Sequence, residues 1–402
     1  MRLLWYGESP YIETGAGQVA KHLLPVFLEM FNEIHLVAIN QWWCHTPLPP
    51  KLTIFLSPKE DSWNVAQAQA QIQAGHYDVC VATADINQLT DLSVAFQQAR
   101  QTGKYIVLYA AMDCHVFERS FFQILTLADI PIVYSEWCKR LVLSLIPELH
   151  AQLQVIYHGC EPDVFFPLPP EERSDARKSL FNISDPETFL VLNVNRNQVR
   201  KDLARSMAAF HLFHLSQPNS LLYLHSKQKD LGGSLPDIAR GMRLCTTGPT
   251  AEIIFAPYEY HESGGIARFE LNKIYNAADC FITSSSGEGW GLTTTEAMAA
   301  GLPVIAGSNS VFPEILGENE QRGYLVSSGG PELWALYYGI SDSPRELVSV
   351  QAMRDALLWV WGHRSRAREK GEAARKWTQK HSWAIIQQEW RKILAKAIRE
   401  KT

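Results

Sequence analysis

The sequence predicts an α/β protein built from two Rossmann-like, doubly wound parallel-sheet domains. Three observations predict it. At 402 residues the chain is too long for one ordinary core, because single hydrophobic cores stop growing at about 250–300 residues. Short apolar runs alternate with amphipathic helical patterns from end to end, which is the signature of βαβ units. A stretch rich in proline and charge interrupts the alternation before it restarts.

MRLLWY, EIHLVAIN, VCVATA, YIVLYA, PIVYS and LQVIY read in order as strands of a first sheet. Their near-continuous apolar character suits strands covered on both faces. QVAKHLLPVFLEMF, between the first two, has helical spacing. PDVFFPLPPEERSDARK then places four prolines and a charge cluster between Pro162 and Lys178, and predicts an interdomain linker. TFLVLNVN, SLLYLHS, AEIIFA, CFITSS and LPVIAG supply a second parallel sheet. WALYYGI, MRDALLWVWGHR and WAIIQQEWRKILAKAI predict a mostly helical C-terminal region. The expected domains are residues 1–166, completed by a C-terminal helix over 384–402, and residues 167–383. They are expected to face each other across a cleft. In such sheets ligands bind beyond the C-terminal strand ends.

Composition is that of a soluble globular enzyme, 46% hydrophobic and 20% charged. No apolar run reaches the roughly 18 residues needed to span a bilayer. MRLLWYGESP lacks a secretory apolar region with a cleavage site, so a cytoplasmic location is expected. Seven cysteines without CxxC spacing predict reduced structural thiols. The histidines form no HExxH, His211 and His214 suit packed or surface roles, and there is no Asp-x-Asp pair. Net charge is −5, yet Arg364–Lys401 carries twelve Lys/Arg against four Asp/Glu, a net of +8. That stretch reads as a solvated basic helix surface, or as a patch for an anionic inner-membrane surface or an acidic acceptor. A mildly acidic whole argues against a nucleic-acid binder.

The segment SSSGEGWGLTTTEAMAAGLPVIAGSNS, Ser284 to Ser310, sets Glu288 and Glu296 eight positions apart. CFITSS ends a strand, Gly287, Gly289 and Gly291 punctuate a loop, and a helix is expected from Leu292–Thr293 to a Gly301-Leu-Pro stop. A helix N-terminus offers free N–H groups and partial positive charge, and glycines allow close backbone approach, so this is an anion site suited to phosphate. Carboxylates beside a phosphate would repel it. They accept hydrogen bonds from hydroxyls instead. The ligand shape that fits has hydroxyls at both ends and phosphates between, as a nucleotide sugar does. An ordinary glycine-rich strand–helix turn is the plain alternative.

GEGWGLTTTEAMAAGLPVIA resembles the E-x7-E segment of retaining glycosyltransferases of the GT-B fold in glycosyltransferase family 4, with Trp290 where the family usually has Phe. LNKIYNAADCFITSS, VIYHGCEPDVFFP at 155–167 and FPEILGENEQRGYLV extend the likeness. The resemblance implies that Glu296 binds ribose hydroxyls and Glu288 those of the donor sugar. It implies that backbone N–H groups of Gly289, Trp290, Gly291 and Leu292 contact sugar and phosphate, and that Thr293 helps hold the distal phosphate. In LNVNRNQVRKDL, Arg196 and Lys201 match the family's pair that neutralises the diphosphate, with Arg200 the alternative to Lys201. Fixed cations there would stabilise the leaving group's developing charge. Gly15, Ala16 and Gly17 resemble the family's glycine-rich loop facing diphosphate and acceptor, and also suit a plain tight turn. In YIVLYAAMDCHVFER the family usually has a histidine near the donor sugar. His115 is the preferred match here and Asp113 the alternative. Trp42 and Trp43 suit either an acceptor-side sugar or lipid face, or the core.

The expected activity is that of a metal-independent, retaining hexosyltransferase with no cofactor beyond its donor substrate. The donor would be a UDP-, GDP- or ADP-sugar and the acceptor a saccharide, lipid-linked or other hydroxyl. The family's retention implies a front-face route in which the leaving phosphate helps take the acceptor proton. A phosphorylase or sugar-nucleotide epimerase on a similar fold is the enzymatic alternative, and a non-catalytic nucleotide-sugar-binding protein is the other.

Overall fold

The computed structural model describes residues 1–116, 118–248, 251–257, 266–330, 333–337 and 343–401. The chain divides into two compact units, Met1–Gly159 with Trp383–Thr402, and Cys160–Ser382.

The first unit is a seven-stranded parallel sheet of β1 (Arg2–Glu8), β2 (Glu33–Ile39), β3 (Leu52–Phe55), β4 (Val79–Asp85), β5 (Tyr105–Ala111), β6 (Ile130–Val133) and β7 (Gln154–Val155). Their order is β3-β2-β1-β4-β5-β6-β7. The apolar runs of β1, β4 and β5 are buried because helices cover both faces. The helix Trp383–Lys401 completes this unit after the chain has passed through the other. Its Trp390 is fully buried and meets Phe27 and Tyr109 edge-on, with ring centroids 6.0 and 5.1 Å away. Gln387 Nε2 donates to His22 O at 2.7 Å and Arg391 Nη2 pairs with Glu29 at 2.8 Å, so the helix rim is bonded as well. Buried aromatics of this size dominate core energetics, at about 150–250 Å² each.

The second unit carries β8 (Phe189–Val194), β9 (Ser220–His225), a small antiparallel pair β10 (Lys229–Asp230) and β11 (Gly233–Ser234), then β12 (Ile253–Phe255), β13 (Cys280–Thr283), β14 (Val304–Gly307) and β15 (Tyr324–Val326). The main sheet is six-stranded and parallel, in the order β12-β9-β8-β13-β14-β15. The chain winds outward from β8 through β9 to β12, then returns to β13 and winds the other way. The reversal leaves a switch point between β8 and β13, beside the loops that leave these two strands.

Two expectations are corrected. The proline-rich segment Pro162–Lys178 is not a linker but part of the second unit. Phe165 is buried, and the backbone N–H groups of Phe166 and Leu168 donate to Asn272 and Asn276 at 3.2 and 2.7 Å. Helix Pro170–Phe181 follows, starting with proline at its first position, where no N–H is needed. Its arginines consume the charge cluster: Arg173 and Arg177 grip Asp279 at 2.6 and 3.0 Å. The chain crosses between units at 159/160 and 382/383 rather than after residue 166. WALYYGI is not helical over its described part, because Trp334–Tyr337 form β16, paired antiparallel with β17 (Ser343–Glu346). A seven-residue apolar run cannot separate the two periods, and Trp and Tyr favour strands. Its residues 338–340 lie outside the described residues.

All seven cysteines are free. Trp42 and Trp43 are exposed, at 46% and 62%, so they are not core. The basic stretch is shared between helix Arg364–Gln379 of the second unit and helix Trp383–Lys401 of the first. Several of its cations are paired within their own unit, Lys370 with Glu320 and Arg391 with Glu29 among them. Among the described residues no helix is long and apolar enough to cross a membrane.

Candidate active site

The loops that leave β8 and β13 meet at the switch point of the second sheet, and a serine-rich network joins them. Ser284 Oγ donates to Asp202 O at 2.7 Å and lies 2.7 Å from Ser206 Oγ, to which Asn193 Nδ2 donates at 3.0 Å. Ser286 N and Oγ both donate to Arg200 O, at 2.8 and 3.0 Å. The backbone after β8 turns through a short 3₁₀ segment, Val199–Lys201, and Asp202 takes a left-handed conformation with φ +45°. That turn aims Arg200 and Lys201 back towards the loop after β13.

Both cations converge on Glu288. Lys201 Nζ donates to Oε1, and Arg200 Nη1 reaches Oε2 at 3.0 Å and Gly287 O at 3.0 Å. Ser285 Oγ donates to the same Oε1 at 2.9 Å, while the Glu288 N–H donates to Ser310 Oγ at 3.1 Å. Glu288 and Lys201 are both buried. Burial pushes the Glu288 carboxyl up, but the charges of Arg200 and Lys201 outweigh it and hold it at about 2. The group is therefore a carboxylate at neutral pH.

The loop continues into helix Leu292–Ala299, whose cap residue Gly291 has φ +87° and provides no side-chain cap. A left-handed cap suits glycine. It also contributes no side-chain acceptor to the first N–H groups of the helix. Gly289, Leu292 and Thr293 are partly accessible there. Trp290 points the other way, buried with its ring 6.0 Å from that of Trp377, so only its backbone belongs to the loop surface. One turn into the helix, Glu296 accepts from Tyr275 OH at 2.8 Å and from Arg268 Nη2 at 3.2 Å. Burial raises this carboxyl, and Arg268 and Tyr275 offset only part of the rise. The two glutamates thus have opposite electrostatic settings.

Of the residues expected to act, Lys201 and Glu288 are in direct contact, and Arg200 joins them. Arg196 is not in that cluster. Its side chain is 58% exposed and Nε pairs with Asp230 of β10 at 2.9 Å. In the first unit, Gly15, Ala16 and Gly17 open helix Gly15–Met30 just after β1. Thr14 Oγ1 caps this helix by accepting from Gly17 N at 2.9 Å, and a side chain at Gly17 would run into Ile12 O. Asp113 and His115 lie beyond the end of β5, two strands from β1, both half-buried. His115 meets Trp137 edge-on at 5.8 Å. The supporting groups Ser285, Ser310, Arg268, Tyr275 and Glu161 were not expected. Tyr275 stands in LNKIYNAADCFITSS, where its place one helix turn before the strand was the only signal.

Residues 260–337 match the model of the family described as glycosyl transferases group 1. A sulfoquinovosyl transferase of Arabidopsis thaliana is 26% identical over 261 residues, 64% of this chain and 42% of that protein. The chain spans 21% to 54% of the length of the first curated relatives it matches. Among solved structures, a sucrose-phosphate synthase of Thermosynechococcus elongatus superposes with a TM-score of 0.71 at 17% identity, covering 100% of both chains. An Anabaena protein crystallised with UDP and glucose gives 0.67 at 15% identity, covering 98% of this chain and 99% of that one. The fold is GT-B, two α/β units each built on a parallel sheet.

Proposed function

We propose that this protein is a glycosyltransferase that moves a sugar from a nucleotide diphosphate sugar to an acceptor hydroxyl, with retention and without a metal, as in the family 4 enzymes it resembles. The observation that carries the reading is the cluster of buried Glu288 and Lys201 with half-buried Arg200, beside a helix start that Gly291 leaves without a side-chain cap, at the switch point of the second sheet. The helix N–H groups and the two cations suit a diphosphate. Glu288 and Glu296 then serve hydroxyls on either side of it, Glu288 on the sugar and Glu296 on the ribose.

Breaking the sugar–phosphate bond moves negative charge onto the diphosphate. Lys201 and Arg200 stabilise that charge from fixed positions, which requires little reorganisation. Arg196, exposed at the loop edge, exchanges its partner Asp230 for a phosphate when the donor binds. Glu288 is ionised and held by three donors, so its role is to orient the sugar rather than to attack it. The leaving phosphate oxygen takes the acceptor proton on the same face. The solved relative that holds UDP and glucose, and the sugar-transferring names among the other relatives, support this class of donor and acceptor.

A thermal-shift screen of UDP-, GDP- and ADP-sugars tests the proposal, since a ligand bound to the folded state raises its melting temperature. One nucleotide series should stabilise the protein and its sugar should appear on an added acceptor. No stabilisation by any series, or release only by phosphorolysis, would overturn it.

A further inference from the structure

Glu296 is gripped from two sides by groups with no assigned role. Tyr275 OH donates to Oε2 at 2.8 Å, and its oxygen also lies 3.2 Å from Thr293 O. Arg268 Nη2 donates to Oε1 at 3.2 Å and is paired as well with Glu161, while its guanidinium lies 4.8 Å over the Phe165 ring. Both donors stand on helix Arg268–Ala277. Tyr275 is fully buried, with Phe165 edge-on at 5.5 Å, so its hydroxyl is confined to Glu296 Oε2, the shorter contact, and Thr293 O.

A carboxylate offers about four lone-pair positions, two on each oxygen. Tyr275 takes one on Oε2 and Arg268 takes one on Oε1. One position on each oxygen is left, and the Glu296 side chain is 12% exposed, so these can be reached. A pair of acceptors, one per oxygen, matches a vicinal diol that donates one hydrogen bond to each. The terminal torsion of a glutamate is broad, and without a fixed donor on each oxygen the carboxylate plane would turn and the match would be lost.

We propose that Tyr275 and Arg268 are positioning residues that fix the plane of the Glu296 carboxylate, so that its free acceptors select the 2′,3′-diol of a ribonucleotide over a deoxyribonucleotide. The proposal rests on the reading that Glu296 binds ribose. Burial, reinforced by the charge of Glu296, pushes the Tyr275 hydroxyl far above its ordinary value, so it remains a donor throughout the working pH range. Arg268 is shared with Glu161, so it cannot replace the tyrosine's direction when the hydroxyl is removed.

The test is calorimetric titration of the full chain with UDP, GDP and ADP, and with the 2′-deoxy form of each. Wild type should prefer the ribonucleotide by about tenfold or more, the worth of one charge-assisted hydrogen bond. Tyr275→Phe keeps the ring against Phe165 and should shrink that ratio to about twofold, while leaving deoxynucleotide affinity nearly unchanged. Arg268→Lys, which retains charge but loses the planar fork, should shrink it by a smaller factor and serves if the first variant does not fold. Glu296→Gln runs in parallel. If Glu296→Gln removes the preference while Tyr275→Phe and Arg268→Lys retain it, the positioning role is wrong and the reading of Glu296 stands. If Glu296→Gln also retains the preference, or none of the three nucleotides binds, the reading of the site fails and the proposal with it.

Discussion

Replacing Glu288 with glutamine removes one negative charge and leaves the shape of the side chain. Arg200, Lys201 and Ser285 stay in place, with two cations now facing a neutral amide in a buried loop. A carboxyl held at about 2 when folded, against 4.5 when free, makes ionisation favour folding by about 3 kcal/mol, at about 1.4 kcal/mol per pH unit. That agrees with the roughly 3–5 kcal/mol lost when one partner of a buried pair is removed. Because the folded value is the lower one, the stabilisation is complete above pH 4.5 and fades as pH falls towards 2. Glutamine has no proton to gain. The deficit of Glu288→Gln should therefore be about 3 kcal/mol at pH 7 and roughly half of that at pH 3. With an m value of about 3 kcal/mol/M, the urea midpoint of the second unit should fall by about 1 M at pH 7. Paired urea titrations of wild type and variant at pH 7, 5, 4 and 3 make the comparison. A deficit that is the same at every pH would refute the ion-pair account, and a negligible one at pH 7 would show that the cluster contributes no stability.

Three other outcomes are expected. Lys201→Ala should lower kcat with the stabilising donor by about 100- to 1000-fold, the usual cost of one preorganised donor, and near-wild-type turnover would place the diphosphate elsewhere. Trp390→Ala should cost about 3–5 kcal/mol and lower the melting temperature of the first unit, as followed by Tyr and Trp fluorescence. An unchanged melt would mean that helix Trp383–Lys401 does not carry the core contact described. Sedimentation with anionic vesicles at low and high salt tests the basic stretch Arg364–Lys401: salt-sensitive binding is expected if it meets a membrane surface, and a flat response removes that role.

The fold was legible because parallel strands covered on both faces are near-continuously apolar, as the central residues of β1, β4, β5, β8 and β13 are. Their alternation with helices settles the class before any motif is considered. The start of helix Leu292–Ala299 was equally legible, since Gly291 and the serine-rich strand end leave few other conformations. What periodicity cannot convey is which distant side chains satisfy a local charge. Arg173 and Arg177 looked like part of a solvated linker because Asp279 is about a hundred residues away in sequence. Arg200 and Lys201 are adjacent, and only the turn at Asp202 shows that both reach Glu288. Arg196, at the end of an apolar strand, carried no sign of its pairing with Asp230 in a two-residue strand.

The first unit is closed by residues that follow the whole of the second. Until helix Trp383–Lys401 leaves the ribosome, the apolar surfaces of Phe27 and Tyr109 that Trp390 covers have no partner from this chain. The second unit, Cys160–Ser382, is contiguous and has no such wait. A chain ending at residue 382 keeps every residue of the second unit and lacks the helix that closes the first. Loss of these nineteen helical residues would therefore fall on the far end of the sequence, and a protease probing a chain truncated after residue 382 would cut within residues 1–159 before it cut within 160–382.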